Sequence, residues 1–255
     1  MINIKSYGSG SEGNLYYLTS NDTKIILECG VETSKIENML IENKILATDI
    51  NACITSHSHI DHSCNINFFQ DYNVHTFCTK DTISRYRMMM NSFNPPHILE
   101  HCKMFKVKNL LFMPFNVNHG STECFGFLIK DTIDDYCVLF ATDFCECKCD
   151  FRNFKFNQIF IECNYVDENL KNAIIKDKDN KSEAFLQIKH KRQLNTHMSL
   201  DNLLVILNSI DLSNCDKITL IHVSNELGDR EMMTNKVIEE LGVNCVALCS
   251  NGKEI

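Results

Sequence analysis

Breaks are scarce in this chain: three prolines and nine glycines in 255 residues. Without Pro/Gly/Ser-rich or low-complexity stretches there is no linker to separate small modules. One tightly connected domain spanning 1–255 is therefore expected, and that length buries a sizeable core without staples. No apolar run approaches the roughly 18 residues of a membrane span, so no membrane association is expected. The opening MINIKSYGSG lacks the basic head, apolar middle and small-residue cleavage site of a secretory signal, which predicts a cytoplasmic chain. Basic charge is not in excess either. With 25 Lys+Arg against 33 Asp+Glu the net charge is −8, which excludes a general nucleic-acid coating protein. A nucleic-acid enzyme is not excluded, because local patches decide such binding.

Cysteine, in contrast, is abundant, at fourteen residues. In a chain of this length with no export signal, reduced thiols are the better reading than a disulfide framework. Cys145, Cys147 and Cys149 form a C-x-C-x-C run that lacks the C-x₂-C spacing of structural zinc sites. A strand or loop carrying small apolar residues is the simpler account.

Short extended runs dominate the first half: Ile2–Tyr7, Leu15–Leu18, Lys24–Glu28, Ala52–Ser56, Phe125–Lys130 and Val138–Thr142. Residues 32–43 carry helical spacing through Ile36, Met39 and Leu40. The second half adds helices at Asp167–Ile175, Ser199–Ile210 and Arg230–Leu241, and strands at Lys217–Ile221 and Asn244–Cys249. Ser199 and Asp201 can cap the middle helix. Strands and helices mixed in both halves predict an α/β (α+β) fold of two packed sheets with helices outside. The most polar stretch, 171–192, carries Lys171, Lys176, Lys178, Lys181, Lys189, Lys191 and Arg192. Lys176–Lys181 reads as a solvated helix and loop. For Lys189–Arg192 a solvated face and a phosphate-facing arm remain equal readings.

Chemistry concentrates in Ile54-Thr-Ser-His57-Ser-His59-Ile-Asp61-His62, directly after an apolar strand. Neutral imidazole and carboxylate are the ligands that zinc takes when thiolates are absent. In extended chain, residues two apart face the same way, so His57 and His59 can reach one metal. Asp61 and His62, at the turn, can aim at a second. His119 follows an alternating run, while Asp143 and His222 each close an apolar strand. A polar group there is costly unless paired, and a metal is a good partner. His75, His97, His101 and His190 lack such settings and are taken as ordinary histidines. Gly8–Gly13 lacks the Gly-Lys-Ser/Thr and the strand-then-helix context of a triphosphate loop, so a tight turn near the metal edge is expected.

The order H-x-H-x-D-H, then His, Asp and His, resembles the metallo-β-lactamase superfamily along nearly the whole chain. That resemblance implies an αββα sandwich of two mixed β-sheets flanked by helices. It also implies two divalent metal ions, zinc first and manganese as the alternative. His57, His59 and His119 would hold one ion, Asp61, His62 and His222 the other, and Asp143 would bridge them. Ser9–Asn14, Phe160–Tyr165, Thr196–Ser199 and Leu220–Asn225 further resemble the WalJ/YycJ-type branch, related to tRNase Z and RNase J. In that branch a histidine placed like His197 lies beside the metals as an acid. Tyr165, Ser199, Ser224, Asn225, Lys189 and Arg192 become candidate substrate contacts. One departure is Glu28, where the superfamily has an aspartate that orients the histidine loop; the extra methylene changes the geometry of that support.

The implied activity is a metal-dependent phosphodiesterase or nuclease. A water shared by the two metals would be deprotonated near neutral pH, with Asp61 in the metal machinery and His197 protonating the leaving alkoxide. Histidine suits that task because it titrates near neutrality. The alternatives are a cyclic nucleotide phosphodiesterase with a base stacked on Tyr165 and, further off, a lactone, thioester or β-lactam hydrolase. A homodimer is compatible with the resemblance, but no exposed stripe marks an interface.

Overall fold

The computed structural model of the chain describes residues 1–179 and 184–254, without the side chains of 177–179, 184–187 and 189. Lys178, Lys181 and Lys189 therefore lie outside the described side chains. A six-stranded sheet contains β1 (Asn3–Gly8), β2 (Leu15–Ser20), β3 (Thr23–Cys29), β4 (Ala52–Ile54), β5 (His75–Cys78) and β6 (His97–Ile98), in that spatial order. Its first three strands pair antiparallel and the rest parallel. Between them come α1 (Thr33–Glu42), α2 (Ile60–Ser63), α3 (Ile66–Asp71) and α4 (Lys80–Tyr86).

The second sheet adds β7 (Phe105–Val107), β8 (Leu110–His119), β9 (Thr122–Asp131), β10 (Cys137–Ala141), β11 (Glu146–Cys147), β12 (Gln158–Glu162), β13 (Lys217–Ile221) and β14 (Cys245–Ala247). Its order is β11-β8-β9-β10-β12-β13-β14, with β7 beside β8. Pairing is antiparallel through β9/β10 and parallel from β10 onwards. Helices α5 (Asp167–Asp179), α6 (Ala184–Thr196), α7 (Leu200–Asn208) and α8 (Arg230–Leu241) complete the chain. Ser199 caps α7 by accepting from the Asn202 amide. No described helix is long and apolar enough to cross a membrane.

Alternation along the strands explains the layering. Tyr16, Leu18, Ile25 and Leu27 of the first sheet meet Phe127, Ile129, Val138 and Phe140 of the second in one core. Their neighbours point the other way. Tyr17 and Ile26 pack with Ile36, Met39 and Phe69 of α1 and α3, while Leu128 and Leu139 share a core with Leu203, Leu207, Met233 and Val237 of α7 and α8. Because both faces of each sheet are covered, the central strands are apolar throughout. The result is the expected sandwich of helices, two mixed sheets and helices.

Strand bounds from the sequence hold to within one or two residues for β1, β3, β10 and β13, and α8 matches its expected range. The expected Phe125–Lys130 run is only the middle of a longer β9. β5 to β7, β12 and α2 to α4 carried no expectation, and the alternating run before His119 is the end of β8. In the C-x-C-x-C run, Cys147 pairs with Val117 as part of β11.

Candidate metal centre

Every parallel strand near the centre of the sandwich ends in a polar residue at the same edge. Glu28 is the next-to-last residue of β3, the histidine loop follows β4, Asp143 lies two residues past β10, Glu162 ends β12 and His222 follows β13. Open α/β sheets place ligands at the carboxyl ends of their strands for this reason. Three of these residues sit in the left-handed region, Glu28 at φ 61°, Asp143 at 53° and His222 at 54°. L-residues avoid that region at a cost of about 1–2 kcal/mol, so tertiary contacts hold them there.

Two nitrogen-rich sets converge on Asp143. His57 Nε2 lies 2.9 Å from His59 Nδ1, which lies 3.1 Å from His119 Nε2. Asp143 Oδ2 stands 3.7 Å from both His57 Nε2 and His119 Nε2. In the other set His62 Nε2 is 3.5 Å from Asp61 Oδ2 and 3.3 Å from Asp143 Oδ2. His222 Nε2 is 3.8 Å from Asp61 Oδ2 and 3.2 Å from Asp143 Oδ1. Ligands at 2.0–2.1 Å around a tetrahedral ion lie about 3.3 Å apart, so both sets have the spread of a divalent-metal site. The buried His222 Nε2 has no hydrogen-bond partner, which would cost about 1–3 kcal/mol unless an ion takes it. The donor sets thus fit metal.

Several rings are met from behind, which leaves the inward nitrogen to the centre. His57 Nδ1 meets Ser56 Oγ at 2.8 Å. His119 Nδ1 donates to the Thr196 carbonyl at 2.7 Å. His62 Nδ1 faces Glu28 Oε2 at 3.4 Å, and the same carboxylate accepts from the Ser56 amide. Glu28 therefore reaches the histidine loop despite its extra methylene. The Ser9–Asn14 turn supports the other side. Asn14 donates to the Asp61 carbonyl from its backbone and its side chain, and Ser9 Oγ accepts from the His222 amide.

Glu162 is the residue that sequence reasoning missed. Its Oε1 accepts from His197 Nδ1 at 2.7 Å and lies 3.1 Å from His222 Nδ1. Its Oε2 accepts from the Phe144 and Met198 amides. The signal was present: Glu162 closes an apolar strand, as Asp143 and His222 do. His197 is 20% exposed, its ring 5.3 Å from those of His119 and His222.

The electrostatics divide the two sets. Burial pushes His57, His59 and His119 below the usual imidazole range, His59 to about 4, so this side presents neutral ligands. Burial also works against charge on His222, but Asp143, Asp61 and Glu162 outweigh it and raise the ring to about 10. His62 moves the same way under Asp143 and Glu28. Burial opposes ionisation of Asp61 and Asp143 too, yet the histidines beside them keep both carboxyls below the usual range. The carboxylate-rich side calls for positive charge, which protons supply in the bare chain and a divalent ion would supply in the loaded one.

A cavity of about 600 Å³ opens over this centre, walled by Arg85, Arg192, His197, Ser224 and Asn225 among others. Ser224, Asn225 and Arg192 thus stand where substrate contact was expected. Tyr165 and Ser199 do not. Tyr165 is 2% exposed and packs against Leu170 and Leu227, and buried Ser199 spends its hydroxyl as the α7 cap. An isolated backbone bridge pairs Tyr165 with Ser199, which no sequence spacing reveals. His190, taken as ordinary, lies 3.7 Å from Glu226.

Gly30 has no room for a side chain. A Cβ there would lie 1.8 Å from the Asp61 carbonyl carbon and 2.1 Å from the His62 amide. Gly30→Ala is expected to displace the ligand loop, destabilising the chain by about 3 kcal/mol and lowering its metal content. A denaturant midpoint and elemental analysis check this; wild-type values in both would show that the loop yields freely.

Residues 23–210 match the family described as Beta-lactamase superfamily domain. The exodeoxyribonuclease WalJ of Streptococcus pneumoniae is 26% identical over 119 residues, covering 44% of this chain and 44% of WalJ. The chain thus spans less than half the length of that curated relative. The metallo-beta-lactamase fold protein YhfI of Bacillus subtilis superposes with a TM-score of 0.74 at 14% identity, covering 100% of this chain and 99% of YhfI. The short form of human tRNase Z gives 0.64 at 13% identity, covering 100% and 98%. At these identities the two structures speak for the fold.

Proposed function

Because the chain belongs to the beta-lactamase superfamily, we propose that it is a metal-dependent phosphodiesterase acting on nucleic acid. His57, His59 and His119 would hold one ion and Asp61, His62 and His222 the other, with Asp143 shared. Zinc suits the imidazole and carboxylate set, with manganese as the alternative. When bound, two such ions supply a nucleophile from water near neutral pH and stabilise charge on the phosphoryl oxygens.

The observation that carries the reading is the pair His197–Glu162 beside the ligand cluster. Glu162 fixes the ring through Nδ1, which leaves Nε2 to carry the proton that a leaving alkoxide needs. Ser56, Thr196 and Glu28 hold the ligand rings in place, so the site is arranged before substrate arrives. The cyclic-nucleotide alternative offered Tyr165 as an aromatic that could stack the base, and Tyr165 is buried and does not line the cavity. WalJ, by its name an exodeoxyribonuclease, supports the nucleic-acid reading from the sequence side.

The test is turnover by zinc- and manganese-loaded protein. Single strands, bis(p-nitrophenyl) phosphate, a cyclic nucleotide, a lactone and a β-lactam would be compared. Hydrolysis of the diesters with the carboxylic substrates untouched is expected. Faster turnover of a lactone or β-lactam than of any diester would overturn the reading.

A further inference from the structure

The cavity over the metal centre has a wall chemistry that bears on what it grips. Its lining contains no phenylalanine or tyrosine among the described residues, and the chain has no tryptophan. Proteins that hold nucleic acid by its bases do so largely on aromatic faces, and the aromatic rings in this lining are the histidines at the metal centre.

What the wall does contain is arginine. The chain has five arginines. Arg152 pairs with Asp150, and Arg230 donates to the Val223 and Leu248 carbonyls and to Asn225 Oδ1. Arg87 is exposed and does not line the cavity. The remaining two, Arg85 and Arg192, both line it, and neither has a carboxylate within ion-pair distance among the described residues. The other carboxylates of the cavity are engaged or distant in role: Asp61 and Asp143 belong to the ligand sets, Glu226 lies 3.7 Å from His190, and Glu12 sits on the loop after β1. With Asp61 and Asp143 in the ligand sets, Arg85, which lies over the Tyr86 ring, and Arg192 are the two guanidinium groups the lining offers to a phosphate.

Their placement gives them separate targets. Arg85 belongs to α4, whose first residue Lys80 donates its amide to Glu123 of β9. Arg192 belongs to α6, whose Thr196 accepts from His119 of β8 and abuts Gly120. The two arginines therefore reach the cavity from the two flanks of the β8–β9 hairpin, whose tip carries the ligand His119. A planar guanidinium binds phosphate through two parallel N–H bonds, and two of them set apart suit two phosphates of one strand.

We propose that Arg85 and Arg192 are specificity-determining residues that bind two uncleaved backbone phosphates of a polynucleotide strand, so that the site selects for strand length and is indifferent to base. This rests on the phosphodiesterase reading and extends it to the substrate. Arg85 carried no signal in the sequence, standing in Ile83-Ser-Arg85-Tyr with no motif around it.

The experiment compares the wild-type chain, Arg85→Ala, Arg192→Ala and Arg85→Lys, each with its metal content verified. The substrates are a 20-nucleotide single strand, the same strand made abasic, and a dinucleoside monophosphate with one phosphate. Each alanine variant is expected to lower kcat/KM on the strand about tenfold or more, chiefly through KM, as loss of a charge-assisted bond predicts. The loss on the dinucleoside should be several-fold smaller, Arg85→Lys should recover part of it, and the abasic strand should be cut like the normal one. Strand binding followed by anisotropy across a salt series should lose about 0.7 from its log–log slope per arginine removed. Equal losses on strand and dinucleoside, an unchanged salt slope, or strong preference for the strand with bases would overturn the proposal. If wild-type protein hydrolyses no diester at all, the catalytic reading falls while the salt slope still decides the arginine clamp.

Discussion

Asp143→Asn should reduce bound metal from about two ions per chain to less than one and lower turnover by about 10³-fold or more. Asp143 is shared by both ligand sets, its two oxygens standing 3.2–3.7 Å from the inward nitrogens of His57, His62, His119 and His222. Asparagine keeps the shape and removes the charge. It also tolerates the left-handed backbone that Asp143 adopts at φ 53°, so the fold is expected to stand. Elemental analysis after purification without chelator, together with turnover, checks the result. The unfolding midpoint of both proteins in chelator is the control. Two ions and wild-type turnover in the variant would remove Asp143 from the centre of the scheme.

His197→Ala should behave in the opposite way towards metal. His197 contacts Glu162 and belongs to a third group with Asp143, Glu162 and His222, but it is not needed to complete the set of His57, His59, His119 and Asp143 or that of Asp61, His62, His222 and Asp143. Metal content should stay near two per chain while kcat on a strand falls by about 10²–10⁴-fold. The loss should shrink on bis(p-nitrophenyl) phosphate, because nitrophenolate leaves without a proton. An equal loss on both substrates would turn His197 from a proton donor into a positioning group. Glu162→Gln gives the intermediate case, since the amide can still touch His197 but no longer offers a charged acceptor. Its effect should fall on kcat rather than KM.

How much of this could be read from the sequence depended on whether the information was local. The His57–His62 cluster was legible because four candidate ligands stand within six residues. His119, Asp143 and His222 were legible because each follows an apolar strand that has to end at a solvated edge. Glu162 follows the same rule on β12 and was overlooked because that strand was not recognised as one. Arg85 is different in kind. Its role comes from α4 folding back beside β9, a contact between residues about forty apart that no spacing encodes. Tyr165 erred in the reverse direction: an aromatic near a functional motif in sequence, yet turned under by the backbone pairing of Tyr165 with Ser199. The two-sheet sandwich was legible from its alternating apolar strands. The two-residue β6 was not, because both of its residues are exposed and nothing periodic marks them.

The left-handed backbone at Glu28 has a consequence for how this position drifts over evolutionary time. Aspartate is among the residues that enter that conformation most readily, and glutamate is not. An exchange from aspartate to glutamate therefore moves the backbone uphill by a fraction of the ~1–2 kcal/mol that the conformation costs. The same exchange extends the carboxylate by one methylene, and in this chain the longer arm reaches the Ser56 amide at 3.1 Å and the His62 ring at 3.4 Å. The exchange therefore trades ease of backbone for length of arm at this one position.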